Sequence, residues 1–263
     1  MPDLLSQLKQ ARVIDLAQPW FVGMPHYPTH PPYLYSLTKQ HGEIVLPGGG
    51  SSAADAIAMG THVGTHIDAL CHFSCLGSLY GGVPVEDQQS YTSGLSHLPV
   101  DQVAPIVQRG VLLDIANAVG VDVLPEDFVI TPAELDAAAA RQGIKVEAGD
   151  VVLLRTGWSA YWNNPGRFIN ELRTPGPELE GARWLSERKV FAAGSDTAAF
   201  ERVPSPRMAV HVHLLVESGI HIIEALNLDQ LAAERRYEFV FVAAPLRLRG
   251  ATGSPIRPLA FCS

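Results

Sequence analysis

The chain has 263 residues, 47% of them hydrophobic and 17% charged, a balance that suits one large domain over residues 1–263 and excludes a disordered chain. Its net charge of −8, without a basic cluster, argues against nucleic acid or an anionic membrane as partner. No apolar run is long enough to span a membrane, the N-terminus lacks a signal-peptide pattern, and Cys71, Cys75 and Cys262 make no disulfide framework, so a cytoplasmic protein is expected.

Asp3 is a candidate N-cap for a short helix over 3–11, in which Leu4, Leu5, Leu8 and Ala11 form a narrow apolar stripe. Residues 13–16 read as a strand. The stretch 19–50 is rich in Pro, Gly, Tyr and His and reads as a long irregular segment whose aromatics, Trp20 and Phe21 among them, cover a pocket, the core or a neighbouring subunit. Residues 53–59 form a strand leading into the densest cluster of functional groups in the chain.

That cluster is 61–72, Thr-His-Val-Gly-Thr-His-Ile-Asp-Ala-Leu-Cys-His. Gly64 and the β-branched Val63, Thr65 and Ile67 disfavour a helix here. On a strand, His66 and Asp68 share one face about 6–7 Å apart, whereas His62 would lie about 13 Å from His66 if the chain stayed extended. A kink at Gly64, the residue most tolerant of positive φ, brings His62 back. Two imidazoles and a carboxylate converging in this way form a ligand set for Zn²⁺, and also for Mn²⁺ or Fe²⁺. His72 is a further ligand or, because imidazole titrates near neutrality, the acid/base group beside the ion. Cys71 should face away as a buried apolar residue.

Phe73 and Tyr80 follow in turn-rich sequence and could line a pocket. Strands are expected at 110–115 and 151–155. Between them, 132–142 is a helix with Thr131 as N-cap, Glu134 completing a capping box and Gly143 ending it. Trp158, Tyr161 and Trp162 lie in a loop. A helix over 178–188 precedes a strand at 189–193, after which Asp196 caps a turn in preference to holding a ligand. A helix over about 207–218, stopped by Gly219, carries His211 and His213. Strands at 220–226 and 237–244 complete the pattern. Glu224 stands in an apolar strand, where a carboxylate is costly unless it is paired or bound to a cation. His221, three residues away, points to the opposite face and is peripheral. The alternation of strands and helices gives an α/β fold with a mixed sheet, flanking helices and long loops. No nucleotide-binding glycine motif occurs.

The run His62-x-Gly64-Thr65-His66-x-Asp68-x-x-x-His72 resembles the signature of the metal-dependent cyclase-type hydrolases, a superfamily that includes bacterial kynurenine formamidase and isatin hydrolase. Leu70 stands where many members have proline, so the formamidase branch is not singled out. The resemblance extends from about Val13 to the C-terminal strand. It implies a swivelling β/α/β-like single domain, one or two Zn²⁺ or Mn²⁺ ions, and a homodimer or homotetramer. It also implies that a late-helix histidine, His211 in preference to His213, and Glu224 complete the metal site begun by His62, His66 and Asp68.

The expected activity is hydrolysis of an amide C–N bond in a small cyclic or aryl amide by a metal-activated water. His72 would serve as the proton carrier, and Trp20, Phe21, Phe73, Tyr80 and Trp158 would hold the substrate ring. The same residues would also serve a cyclase or dehydratase acting on a polyketide-like or hydroxy-acid substrate, or a non-catalytic metal-stabilised binding protein. No serine or cysteine sits in a nucleophile elbow.

Overall fold

The computed structural model describes residues 4–263, so the expected Asp3 cap and the Leu4 side chain lie outside the described part. Helix α1 (Leu4–Gln10) is followed by strand β1 (Arg12–Asp15). Leu5 and Leu8 are exposed, so the expected apolar stripe does not join the core. The segment expected to be irregular contains strand β2 (Leu34–Lys39), which pairs antiparallel with β3 (Ala54–Ala58) as a separate two-stranded ribbon.

The main sheet adds β4 (His66–Asp68), β5 (Ile106–Asp114), β6 (Val151–Arg155), β7 (Ala192–Ser195), β8 (His221–Glu224), β9 (Glu238–Ala243), β10 (Gly253–Pro255) and β11 (Leu259–Cys262). Its nine strands run in the order β1-β11-β9-β5-β6-β7-β8-β4-β10. The central four, β5 to β8, are parallel, and every other pairing is antiparallel. The central strands read as nearly unbroken apolar runs because both of their faces are covered. On one face Val111, Leu113, Val152, Leu154, Ala193 and Ile222 meet helices. On the other, Ile14 from one end of the sheet and Ile67 from near the other end join one core with Leu112, Leu153, Ile223 and Phe241, which shows that the sheet curls.

Helices α2 (Ile115–Val119), α3 (Pro132–Gln142), α4 (Pro165–Ile169) and α5 (Leu179–Glu187) follow the central strands. Helix α3 has the expected capping box between Thr131 and Glu134, and Gly143 ends it in the left-handed region. Helix α6 (Ala209–His211) continues as a π-helix over Val212–Ser218 and stops at Gly219. Asp196 does cap a turn: its carboxylate accepts hydrogen bonds from the Thr156 and Gly157 amides and the Thr156 hydroxyl. The third central strand begins at Ala192, later than expected, and α7 (Asp229–Ala233), β10 and β11 are additions to the expected pattern. Among the described residues, no helix is long and apolar enough to cross a membrane.

Candidate metal centre

The register between β4 and β8 builds the centre. Glu224 pairs with His66 and Ile222 with Asp68, so His66, Asp68 and Glu224 share one face of adjacent strands. Gly64 has φ +71°, and the chain turns there as the sequence requires. The turn brings the His62 and His66 ring centroids to 5.2 Å. Thr65 pins it by donating to the Ala225 carbonyl at 2.6 Å and accepting from the Gln18 amide at 2.9 Å. On the other side of β4, Gly253 pairs with Asp68, and a Cβ there would lie 2.5 Å from the His62 ring. That glycine is the space into which His62 folds.

Hydrogen bonds aim the ring nitrogens. His66 Nδ1–H donates to the Gly64 carbonyl at 2.8 Å, which turns Nε2 inward to within 3.5 Å of both Asp68 and Glu224. His211 Nδ1–H donates to Glu201 at 2.8 Å, leaving Nε2 3.4 Å from Glu224 and 4.0 Å from Asp68. His62 Nδ1–H donates to Asp68 at 2.6 Å while its Nε2 accepts from the Thr252 hydroxyl at 2.8 Å. His72, on a 3₁₀ turn after β4, stacks on His62 with centroids 3.9 Å apart. His213 is not part of the cluster; it pairs with Glu217 and Ser186 near the surface. His221 donates to the Asp68 backbone carbonyl and holds the strand from behind.

Among the described residues, two groups of side chains lie close enough to share an ion: His62, Asp68 and His72, and His66, Asp68 and Glu224. Asp68 belongs to both. Its Oδ2 is buried and has no hydrogen-bond partner, whereas Oδ1 is satisfied by His62. A buried orphan carboxylate oxygen facing imidazole nitrogens, with a second carboxylate at Glu224, fits a divalent cation. Burial works against the charge on Asp68, yet His72, His62 and His66 hold its pKa well below the usual carboxylate range. Burial pushes His72 down to about 3, so its imidazole is neutral around pH 7. Burial also acts to lower His211, but the hydrogen bonds to Glu201 and Glu224 outweigh it and raise the pKa to about 10.

Of the aromatic residues expected around a substrate, Phe73 borders the site, 5.3 Å from the His211 ring and 5.8 Å from His72. Trp20 lies over Gly64, and Phe21 packs edge-on against Trp162 beside it. Trp158 is fully buried and donates its indole N–H to the Phe168 carbonyl, so it supports the wall from within and offers no face to a substrate. Tyr80 packs against Gly219 at the end of the π-helix, on the helical side of the core. The sequence reading missed Glu201, Thr252, Gly253 and His30. The His30 ring lies 5.2 Å from His62 and 6.5 Å from His72, with Tyr27 beside it.

The chain has a curled mixed sheet flanked by helices and a buried histidine–carboxylate cluster where β4 meets β8, and its relatives place it in the cyclase-type metal-dependent hydrolase superfamily. The chain belongs to the Cyclase family, whose model, described as "Putative cyclase", matches residues 14–202. It is 27% identical over 250 residues to a kynurenine formamidase of Bacillus cereus, covering 95% of this chain and 97% of that one. It is also 27% identical over 212 residues to an isatin hydrolase of Roseibium aggregatum, covering 78% of this chain and 73% of that one. Among solved structures, one described as a novel cyclase superposes with a TM-score of 0.89 at 32% identity, over 97% of this chain and 88% of that one. Isatin hydrolase A from Ralstonia solanacearum superposes with a TM-score of 0.76 at 27% identity, over 100% and 98% of the two chains.

Proposed function

We propose that this chain is a metal-dependent amidohydrolase cleaving the C–N bond of a small cyclic or aryl amide. One or two Zn²⁺ or Mn²⁺ ions would be held by His62, His66, Asp68, His211 and Glu224. The observation that carries the reading is the buried, unpartnered Asp68 Oδ2 among converging histidine nitrogens. The relatives named kynurenine formamidase and isatin hydrolase support amide cleavage as the reaction. An ion bound here supplies an acidified water and an electrophile for the substrate carbonyl.

The chain's own residues do the rest. His72 is neutral near pH 7, the state that accepts a proton from the attacking water, and Asp68 beside it compensates the charge that arrives. The same imidazole returns the proton to the leaving nitrogen, which an amide requires because its nitrogen departs poorly as an anion. Phe73, Trp20 and Phe21 give the substrate ring apolar walls, and Tyr27 and His30 border the cluster from the loop before β2. A thiol route is disfavoured at Cys71, which is buried and whose pKa burial pushes up to about 12.

The test is metal analysis of the purified protein, with hydrolysis of an aryl formamide, isatin and a simple lactam before and after chelation. Bound divalent metal and chelator-sensitive cleavage of at least one amide are expected. A chain that takes up neither Zn²⁺ nor Mn²⁺, or that cleaves amides equally well after chelation, overturns the reading.

A further inference from the structure

Both ring nitrogens of His62 are taken. Nδ1 lies 2.6 Å from Asp68 Oδ1, and Nε2 lies 2.8 Å from the Thr252 hydroxyl. A carboxylate only accepts, so Nδ1 carries the hydrogen and Nε2 accepts from Thr252. An ion needs a bare nitrogen. Nδ1 is on the Asp68 side of the ring and Nε2 on the Thr252 side, so Nδ1 is the atom that can share an ion with Asp68. Once Nδ1 gives up its hydrogen, a neutral imidazole carries one on Nε2, and that N–H faces Thr252.

The ring cannot answer by turning over. His72 stacks on its face with centroids 3.9 Å apart. The space at its edge exists because residue 253 is glycine: a Cβ there would stand 2.5 Å from the ring's Cε1 and 2.9 Å from Nδ1. The Thr252 backbone is fixed as well. Its carbonyl accepts from the Ala69 amide at 2.9 Å, and the next residue, Gly253, pairs in register with Asp68. What remains free to move is the hydroxyl hydrogen. A hydroxyl both donates and accepts, and Thr252 is half-buried, so its hydrogen can turn from Nε2 to water while Oγ1 stays in place.

We infer that Thr252 is a positioning residue for the metal centre, whose hydroxyl reverses from donor to acceptor as His62 passes from its Nδ1–H to its Nε2–H tautomer on taking up an ion. The inference rests on the metal-centre reading above. One proton leaves Nδ1 and one arrives at Nε2, so His62 stays neutral and releases no net proton. A fixed donor such as an ammonium would oppose the loaded tautomer, and a fixed acceptor such as a carbonyl would oppose the free one; a hydroxyl serves both. The hydrogen bond also strengthens on loading, because the N–H of a metal-bound imidazole is polarised by the charge of the cation.

Nuclear magnetic resonance and metal competition on the full chain test it. Long-range proton–nitrogen correlation spectra report the His62 tautomer, its signals identified in the metal-free chain by their loss in His62→Gln. The expected pattern is Nδ1–H without metal and Nε2–H with Zn²⁺. Thr252→Val keeps the shape and removes the hydroxyl. Nε2 then lacks a partner in both states, but the loaded state loses the stronger bond. Metal affinity, measured against a chromophoric chelator, should therefore fall at least about 10-fold, and Thr252→Ser should restore it. A merely structural role would lower the metal-free Tm and leave affinity and tautomers alone. His62 keeping its Nδ1–H with Zn²⁺ bound, or a folded valine variant that binds metal as tightly as the wild type, overturns the inference and leaves the metal centre standing. Failure of the unmodified chain to take up Zn²⁺ or Mn²⁺ overturns both. If the valine variant does not fold, the wild-type tautomers decide.

Discussion

Glu201 controls the centre without facing it. One of its oxygens takes both His211 Nδ1–H and the His211 amide, and the other takes the Ser205 hydroxyl and the Val210 amide. Glu201 is thus a positioning residue that fixes which ring nitrogen of His211 points inward. In the metal-free chain His211, raised to about 10, is protonated at pH 8, and an ion binding at Nε2 must displace that proton. Because this pKa lies above the unfolded value of 6.5, the pair stabilises the metal-free fold fully below 6.5, and the stabilisation is lost as pH rises through about 10. Glu201→Ala removes the leading cause of the raise, leaving burial, which lowers the pKa, opposed by Glu224 and Asp68, which raise it. Calorimetric metal titration at pH 8 in buffers of different ionisation enthalpy should therefore show fewer protons released by the variant, with metal affinity down about 10–100-fold. Equal proton release would mean that Glu201 does not set the state of His211. A second residue-scale test concerns His72. His72→Ala should keep its metal and lose about 10²–10⁴-fold in turnover. Parallel loss of metal would make His72 a ligand, as its proximity to His62 and Asp68 permits.

At the scale of the element, the kink decides whether the histidines meet. Gly64 has φ +71°, and a Cβ there would lie 2.6 Å from Trp20 Nε1. Gly64→Ala should destabilise the fold by about 1–2 kcal/mol from backbone strain alone, displace Trp20, and weaken metal binding because His62 swings away from His66. Gly77→Ala is the control. It has a similar φ of +75° with nothing within 4 Å, so denaturant titration should show comparable strain with metal affinity unchanged. This element was legible in the sequence because its rules are local: alternation puts His66 and Asp68 on one face, and one glycine reverses the chain. Helix α3 was legible for the same reason, since cap, capping box and terminal glycine are all neighbours. Glu224 announced itself as a carboxylate in an apolar run. Of the ribbon, β3 was expected as a strand over 53–59, but β2 was not, because it faces water on both sides with no buried alternation and the glycine- and proline-rich stretch after it reads as irregular. Thr252 and Gly253 shape the pocket of His62 from about 190 residues away, a contact that only the curl of the sheet creates. His211 was preferred to His213 from the resemblance, but what aims its ring, Glu201 ten residues earlier, was not visible.

For the whole molecule, the centre couples metal to folding. Asp68 and Glu224 come from strands more than 150 residues apart in sequence and are brought together only in the folded sheet, so the unfolded chain offers no comparable site. A ligand that binds only the folded state at 100 times its dissociation constant adds about 2.7 kcal/mol, which for a chain of this size corresponds to a rise in Tm of about 5–10 °C. Chelation should therefore lower Tm by that amount, and re-addition of Zn²⁺ or Mn²⁺ should restore it, with the more effective ion being the one the site prefers. The competing force is the internal hydrogen bonding of the metal-free cluster, in which His62 satisfies one oxygen of Asp68 and His211 is held by Glu201. If that bonding alone sufficed, Tm would not respond to chelator. The unpartnered Asp68 Oδ2 argues that it does not suffice, because an uncompensated buried oxygen costs about 1–3 kcal/mol, more when charged. Removing the charge tests the attribution directly: Asp68→Asn should have the same Tm with and without metal, whereas a variant that keeps the full metal-dependent shift would place the ion elsewhere.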